Sequence, residues 1–160
     1  MRSYMKTVSK AQIDNFMSQK KIAIVGFSRN PKDFTRNLSK DLSVRGYELY
    51  PVNPNANEIE GKKCYSNVNS IEDEINAAMI FTKGETLSAN LDEAVNKGIK
   101  NIWLNFDQKF SSDVITKIEK YEKQGTNVIH GFCPYMFIED PQFFHKAHRF
   151  FKKLFGSFPG

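Results

Sequence analysis

The chain of 160 residues lacks the marks of several large protein classes. It has two cysteines, Cys64 and Cys133, no CxxC pair, and no His/Cys cluster at zinc-ligand spacing. That argues against a disulfide scaffold or a zinc module and fits a cytoplasmic chain with two unpaired thiols. No apolar run approaches the roughly 18 residues that a membrane span needs. The opening MRSYMKTVSKAQ has no apolar core of signal-peptide length. Internal repeats and low-complexity linkers are missing too, so one domain over residues 1–160 is expected. Neither a nucleophile elbow nor a phosphate loop ending in Gly-Lys-Ser/Thr occurs, and no group of side chains reads as a catalytic constellation. Charge is not lacking. The net value of +5 admits an anionic partner such as nucleic acid, a lipid surface or a phosphorylated small molecule. The lysines and arginines are scattered, so a generally solvated basic surface is the plain reading.

What is present is a regular alternation of apolar runs and helical patterns. Ser9 followed by Gln12 forms a capping-box pair, and Ile13, Phe16 and Met17 give a short apolar face, which predicts a leading helix ending near Gln19. Ile22–Val25 is a continuous β-branched run, as in a strand covered on both faces. Phe34–Val44 reads as a helix stopped by Gly46, and Tyr47–Val52 as a second strand closed by the breaker-rich VNPNANEIEG. A minor strand is expected near Lys63–Tyr65, and a short helix over Ser70–Ile75 capped by Ser70. Strand Ala77–Phe81, helix Glu85–Asn96, strand Ile102–Leu104, helix Ser112–Glu122 and strand Asn127–Ile129 follow, with Gly98 and Gly125 as helix stops. A strongly apolar last helix is predicted over Pro141–Phe155. Long helical crossovers make parallel, right-handed neighbours. The expectation is therefore a three-layer, doubly wound α/β domain of Rossmann type, with five or six mostly parallel strands.

In such sheets ligands bind outside the carboxyl ends of the strands, where the strand order reverses. That rule selects the loops GFSRNPKDFTRN, VNPNAN, FTKGE, NFDQKF and HGFCP. In the first, Gly26 permits a sharp turn, and Ser28, Asn30 and Thr35 offer short polar groups. The amides that open the next helix favour anions, and Arg29, Lys32 and Arg36 add positive charge. Phosphate binding is one reading; a capped turn with surface cations is the other. An ordinary NAD site asks for two more glycines, but Ser28 and Pro31 stand there, and for an acid at the end of the second strand, where Asn53 stands before Pro54. An uncharged position among cations suits a ligand with an extra ribose phosphate. NADP and coenzyme A both qualify.

The ordered series Gly26-Phe27-Ser28-Arg29-Asn30-Pro31, Thr35, Arg45-Gly46-Tyr47 and Tyr50-Pro51-Val52-Asn53-Pro54 resembles the CoA-binding domain family. These are small Rossmann-like proteins related to the nucleotide domain of the succinyl-CoA synthetase alpha subunit. Gly61, Tyr65, Phe81-Thr82-Lys83, Ile102-Trp103-Leu104-Asn105 and Cys133-Pro134 continue the pattern over roughly residues 20 to 138. The resemblance implies a site for CoA or an acyl-CoA. Gly26–Pro31, Thr35 and Arg36 would hold the phosphates, Asn53 and Pro54 would lie against the adenosine end, and Phe81, Thr82 and Lys83 would line the next loop. Asn105 stands where the family usually has Gln, and Asp107 where it often has Gly. The implied function is recognition by a small cytosolic protein without catalysis of its own. An NADP-binding oxidoreductase or redox sensor is the alternative.

Other residues admit two readings each. Cys133 is a buried inert thiol or, with His130 three residues away, a reactive one. Cys64 is a small strand residue or a thiol made acidic by Lys62 and Lys63. His145 and His148 have helical spacing but no further ligands, so no metal is expected. The stripe Phe143, Phe144, Ala147, Phe150, Phe151, Leu154 and Phe155, backed by basic residues, suits packing on its own domain, a homodimer contact, or a membrane surface or other partner. Neither a nucleic-acid partner nor a membrane span is expected.

Overall fold

Ser9 opens the first helix as its spacing to Gln12 predicts. In the computed structural model, which describes residues 7–105 and 109–138, the Gln12 amide donates to Ser9 Oγ at 3.3 Å and the Ser9 amide to Gln12 Oε1 at 2.9 Å. Helix α1 (Lys10–Met17) follows. Strand β1 (Lys21–Val25) then runs into helix α2 (Phe34–Ser43) and strand β2 (Glu48–Val52). A small antiparallel hairpin, β3 (Glu58–Ile59) and β4 (Lys62–Lys63), turns through Glu60 and Gly61, both with positive φ. Strand β5 (Ala77–Ile80), helix α3 (Gly84–Lys97), strand β6 (Asn101–Leu104), helix α4 (Ser112–Lys123) and strand β7 (Asn127–Ile129) complete the alternation.

The main sheet has five strands in the order β2-β1-β5-β6-β7, and every neighbouring pair is parallel. The chain builds outward from β1 to β2, returns to β5 on the other side of β1, and continues outward to β7. The order therefore reverses between β1 and β5. This is the expected doubly wound fold.

Successive side chains of a strand point to opposite faces, and both faces here are covered. Ala23, Val25, Ala78, Ile80, Ile102 and Leu104 meet Leu87 and Leu91 of α3 and Val114 and Ile118 of α4. Ile22, Ile24, Met79 and Trp103 meet Ile13 and Phe16 of α1 and Leu38 and Leu42 of α2. Trp103 is fully buried with its ring edge-on to Phe16 at 5.2 Å, and its Nε1 donates to the Phe132 carbonyl at 2.8 Å. That bond fastens the segment after β7 to the middle of the sheet.

Two local expectations are corrected. Residues 71–75 are not helical: a single 3-10 turn, Val68–Ser70, is capped by Asn67, and Ser70 ends it. Tertiary contacts hold the following stretch out of a helix. Ile71 and Ile75 are buried, the Ile71 carbonyl accepts from Lys97 Nζ at 2.7 Å, and Asp73 accepts from the Tyr50 hydroxyl at 2.5 Å. The minor strand is displaced: Lys62–Lys63 belongs to the hairpin, whereas Tyr65 makes an isolated parallel bridge to Val52 beyond the end of β4. Among the described residues no helix is long and apolar enough to cross a membrane. The helix expected over Pro141–Phe155, the pair His145 and His148, and Asp107 lie outside the described residues.

Helices α3 and α4 are tied by a polar network. Lys117 Nζ donates to Asp92 Oδ2 at 2.6 Å and to Ser88 Oγ at 2.7 Å, Ser88 donates to Asp113 at 2.6 Å, and the Tyr121 hydroxyl donates to Asp92 Oδ1. Burial pushes the Tyr121 hydroxyl up to about 12, helped by Asp92. For Asp92, burial pulls its carboxyl upward, but the bonds from Lys117 and Tyr121 outweigh it, so the group sits below the usual carboxylate range. The Tyr50 hydroxyl likewise holds Asp73 low, against burial and with help from Lys21. Both native carboxylates thus bind protons less readily than in the unfolded chain. Their contribution is whole above the unfolded value near 4 and is lost as pH falls through the depressed native values. Urea midpoints are expected to be level between about pH 7 and 5 and to drop below about 4. Asp92→Asn is expected to be less stable at neutral pH, with a smaller drop from pH 7 to pH 3 than the parent.

Candidate functional site

The carboxyl edge of the sheet at the β1/β5 reversal is where the fold predicts a ligand. Beside it, over the carboxyl ends of β1 and β2, lies an open depression of about 710 Å³ lined by Gly26, Phe27, Ser28, Arg29, Asn30, Asp33, Asn53 and Pro54. Seven of these eight were expected from the sequence. Asp33 was not.

Gly26 makes the edge buildable. Its φ is +86°, and a Cβ placed there would stand 3.1 Å from Thr82 Cγ2 and 3.2 Å from the Thr82 amide nitrogen. The loops after β1 and β5 therefore touch backbone to backbone, which is how Phe81 and Thr82 come beside the first loop. The Gly26 and Phe27 amides both donate to the Val52 carbonyl at 3.1 Å, so the end of β2 is bound in as well. Asn53 completes that latch: its Nδ2 donates to the Phe27 carbonyl at 2.9 Å and its Oδ1 accepts from the Asn55 amide at 2.8 Å. One strand further on, Asn105 Nδ2 donates to the Phe81 carbonyl at 3.3 Å.

The loop Ser28–Asp33 is held largely by its own polar groups. The Ser28 amide donates to Thr35 Oγ1 at 3.0 Å, the Asn30 amide to Ser28 Oγ at 3.0 Å, and the Lys32 amide to Asn30 Oδ1 at 3.0 Å. Asp33 is the N-cap of α2, and its Oδ1 accepts from the Thr35 amide at 2.9 Å and from Thr35 Oγ1 at 2.8 Å. An aspartate just before a helix is a known start signal, so Asp33 was discoverable from the sequence.

Arg36 does not line the depression. It is 3% exposed, its Nη1 donates to the carbonyls of Ser28 at 3.4 Å and Arg29 at 3.0 Å, and its Nη2 pairs with Glu60 at the hairpin turn. Its guanidinium also lies 5.7 Å from the centre of the Phe27 ring. Arg36 thus braces the loop from behind, while Arg29 and Lys32 are exposed beside it. Thr35 is likewise buried beneath the loop. Pro31 is exposed on the loop, and Lys83 is exposed at the N-cap of α3. Glu60 lies 24 positions from Arg36 in a chain where no local pattern joins them, so sequence reading missed it.

An aromatic group stands next to the site. Phe34 meets Phe81 edge-on at 5.5 Å and Tyr135 at 5.3 Å. Tyr135 belongs to the 3-10 turn Pro134–Phe137, an element that no sequence signal announced. Cys133, at the cap of that turn, is 1% exposed, and burial pushes its thiol up to about 12. Burial also raises Cys64, so the neighbouring lysines do not make it acidic. Among the described residues no group of three His, Cys, Asp or Glu side chains is placed to hold a metal ion.

An open parallel sheet whose strand order reverses beside a polar depression at its carboxyl edge defines a doubly wound α/β domain of the nucleotide-binding kind. Within that class the family model of the CoA binding domain matches residues 20–139, and the chain belongs to that family. The uncharacterized protein YneT of Bacillus subtilis is 32% identical over 100 residues, covering 62% of this chain and 74% of its own. The alpha subunit of the ADP-forming acetate–CoA ligase II of Pyrococcus furiosus is 32% identical over 91 residues, 56% of this chain. The match spans only 20% of that subunit. A solved structure of a hypothetical protein from Pyrococcus horikoshii superposes with a TM-score of 0.69 at 28% identity, covering 82% of this chain and 94% of the other.

Two outcomes are expected from this geometry. Gly26→Ala loses roughly 1–2 kcal/mol from the left-handed backbone alone, with more from the displaced Thr82, read as a lower urea midpoint. Both thiols resist Ellman's reagent at pH 7.5 in the native protein and react at once in urea; prompt native labelling of either would contradict their burial.

Proposed function

We propose that this domain binds coenzyme A or an acyl-CoA along the carboxyl edge of its sheet and that its role is recognition, without a reaction of its own. The observation that carries the reading is the depression at the carboxyl ends of β1 and β2, beside the reversal, lined by Ser28, Arg29, Asn30, Asn53 and Pro54, in a chain of the CoA binding domain family. Arg29, Ser28 and Asn30 meet the phosphates. Asn53 and Pro54 meet the adenosine end, where an uncharged residue at the end of β2 tolerates a ribose phosphate that an acid would repel. Phe81, Thr82, Lys83 and Asn105 extend the track along the neighbouring strand ends. Thr35 and Arg36 act as positioning residues: they hold the loop whose exposed face the ligand touches.

Isothermal titration with CoA, acetyl-CoA, NADH and NADPH at physiological salt tests this. The CoA species are expected to bind at micromolar Kd, with the dinucleotides weaker by about tenfold or more. Arg29→Ala is expected to cost about fivefold, the worth of one exposed charge contact. A preference for NADPH would transfer the site to a redox or sensing role. Absence of binding to all four ligands would sink the reading.

A further inference from the structure

Two of the groups that should attract an anion to this edge, the N-terminus of α2 and Arg36, already serve carboxylates of the same chain. The N-terminus of α2 is a ten-residue helix's positive pole, and Asp33 sits on it. Its Oδ1 takes both Thr35 donors, at 2.9 Å from the amide and 2.8 Å from the hydroxyl. Thr35 Oγ1 in turn takes the Ser28 amide at 3.0 Å. The same Asp33 lines the depression. Arg36, the one buried cation under the loop, is paired with Glu60. A ligand phosphate that approaches Ser28 and Arg29 therefore meets a fixed negative charge at its rim and a set of donors already engaged.

We propose that Asp33 is an internal competitor of the ligand's phosphates. Its carboxylate, fixed at the rim of the depression by the two Thr35 donors beneath the loop, repels phosphate oxygens, and this residue holds affinity for polyanionic ligands below what the loop would otherwise give. The inference rests on the CoA reading for the identity of the ligand, and on the loop geometry alone for the competition. A larger ligand adds contacts at Asn53, Pro54 and Phe81 that offset this repulsion.

The test separates charge from capping. Asn caps a helix about as well as Asp, so Asp33→Asn keeps α2 while removing the charge. Titrations compare wild type and D33N with CoA, with uncharged pantetheine and with inorganic pyrophosphate. D33N is expected to bind CoA and pyrophosphate about three- to tenfold more tightly, most at low salt, with pantetheine unchanged. A cap with no competing role would leave all three affinities as they were. CoA binding by wild type with no gain in D33N overturns the inference and leaves the CoA reading standing. If wild type does not bind CoA, that reading falls, and the pyrophosphate series decides the inference: a gain in D33N keeps it, and no gain overturns it. Should D33N lose its thermal transition, Asp33→Ser makes the same charge change with an equally good cap.

Discussion

The backbones of Gly26 and Thr82 meet at the point where the sheet reverses its build direction, and the ligand edge depends on that contact. Parallel strands end in loops that diverge into crossovers on either face, so neighbouring strand ends tend to separate at a switch point. Here they do not. With no side chain at position 26 and a φ of +86°, the first loop lies on the end of β5. The Val52 carbonyl draws the same turn against β2. Three strand ends thus converge on a few ångströms of backbone, and the open depression lies over two of them, β1 and β2.

Charge in this edge is organised inward before it is offered outward. Arg36 is nearly fully buried, which is costly for a guanidinium unless its donors are met. Two loop carbonyls and Glu60 meet them. The pairing also links the loop after β1 to the hairpin β3–β4. Asp33 and Thr35 treat the helix N-terminus in the same way, closing its donors with a carboxylate. What remains outward is Arg29, Lys32, the rim of Ser28 and Asn30, and the Asn53–Pro54 corner. The basic composition therefore overstates the positive charge available to a ligand.

Much of the architecture was legible from periodicity and punctuation. The central strands β1 and β5 announced themselves as short apolar runs, because burial on both faces forbids polar interruptions. Helix ends were marked by Ser9, Gly98 and Gly125, where local hydrogen bonds and left-handed glycines decide the matter within a few residues. The failures fall where tertiary contacts outcompete local preference. Residues 71–75 carry a plausible helical pattern, yet Lys97, Tyr50 and two buried isoleucines hold them out of a helix. Lys62 and Lys63 turn back on Glu58 and Ile59 as a hairpin, and Tyr65 reaches the edge of β2 separately.

The sequence by itself determined the fold class, the order of elements, the loops at the ligand edge and most residues that line it. Such features follow from side-chain periodicity, from glycine and proline, and from the rule that parallel sheets bind at their carboxyl ends. Only the tertiary structure decided which charges face the depression. Arg36 was read as a phosphate contact from its charge and its place in the family pattern, but its direction is set by the carbonyls behind the loop and by Glu60 on a distant hairpin. Sequence spacing tells where a side chain starts. Which partner a buried charge finds depends on which chain segments are neighbours in space, because burial without a partner costs more than any local preference returns.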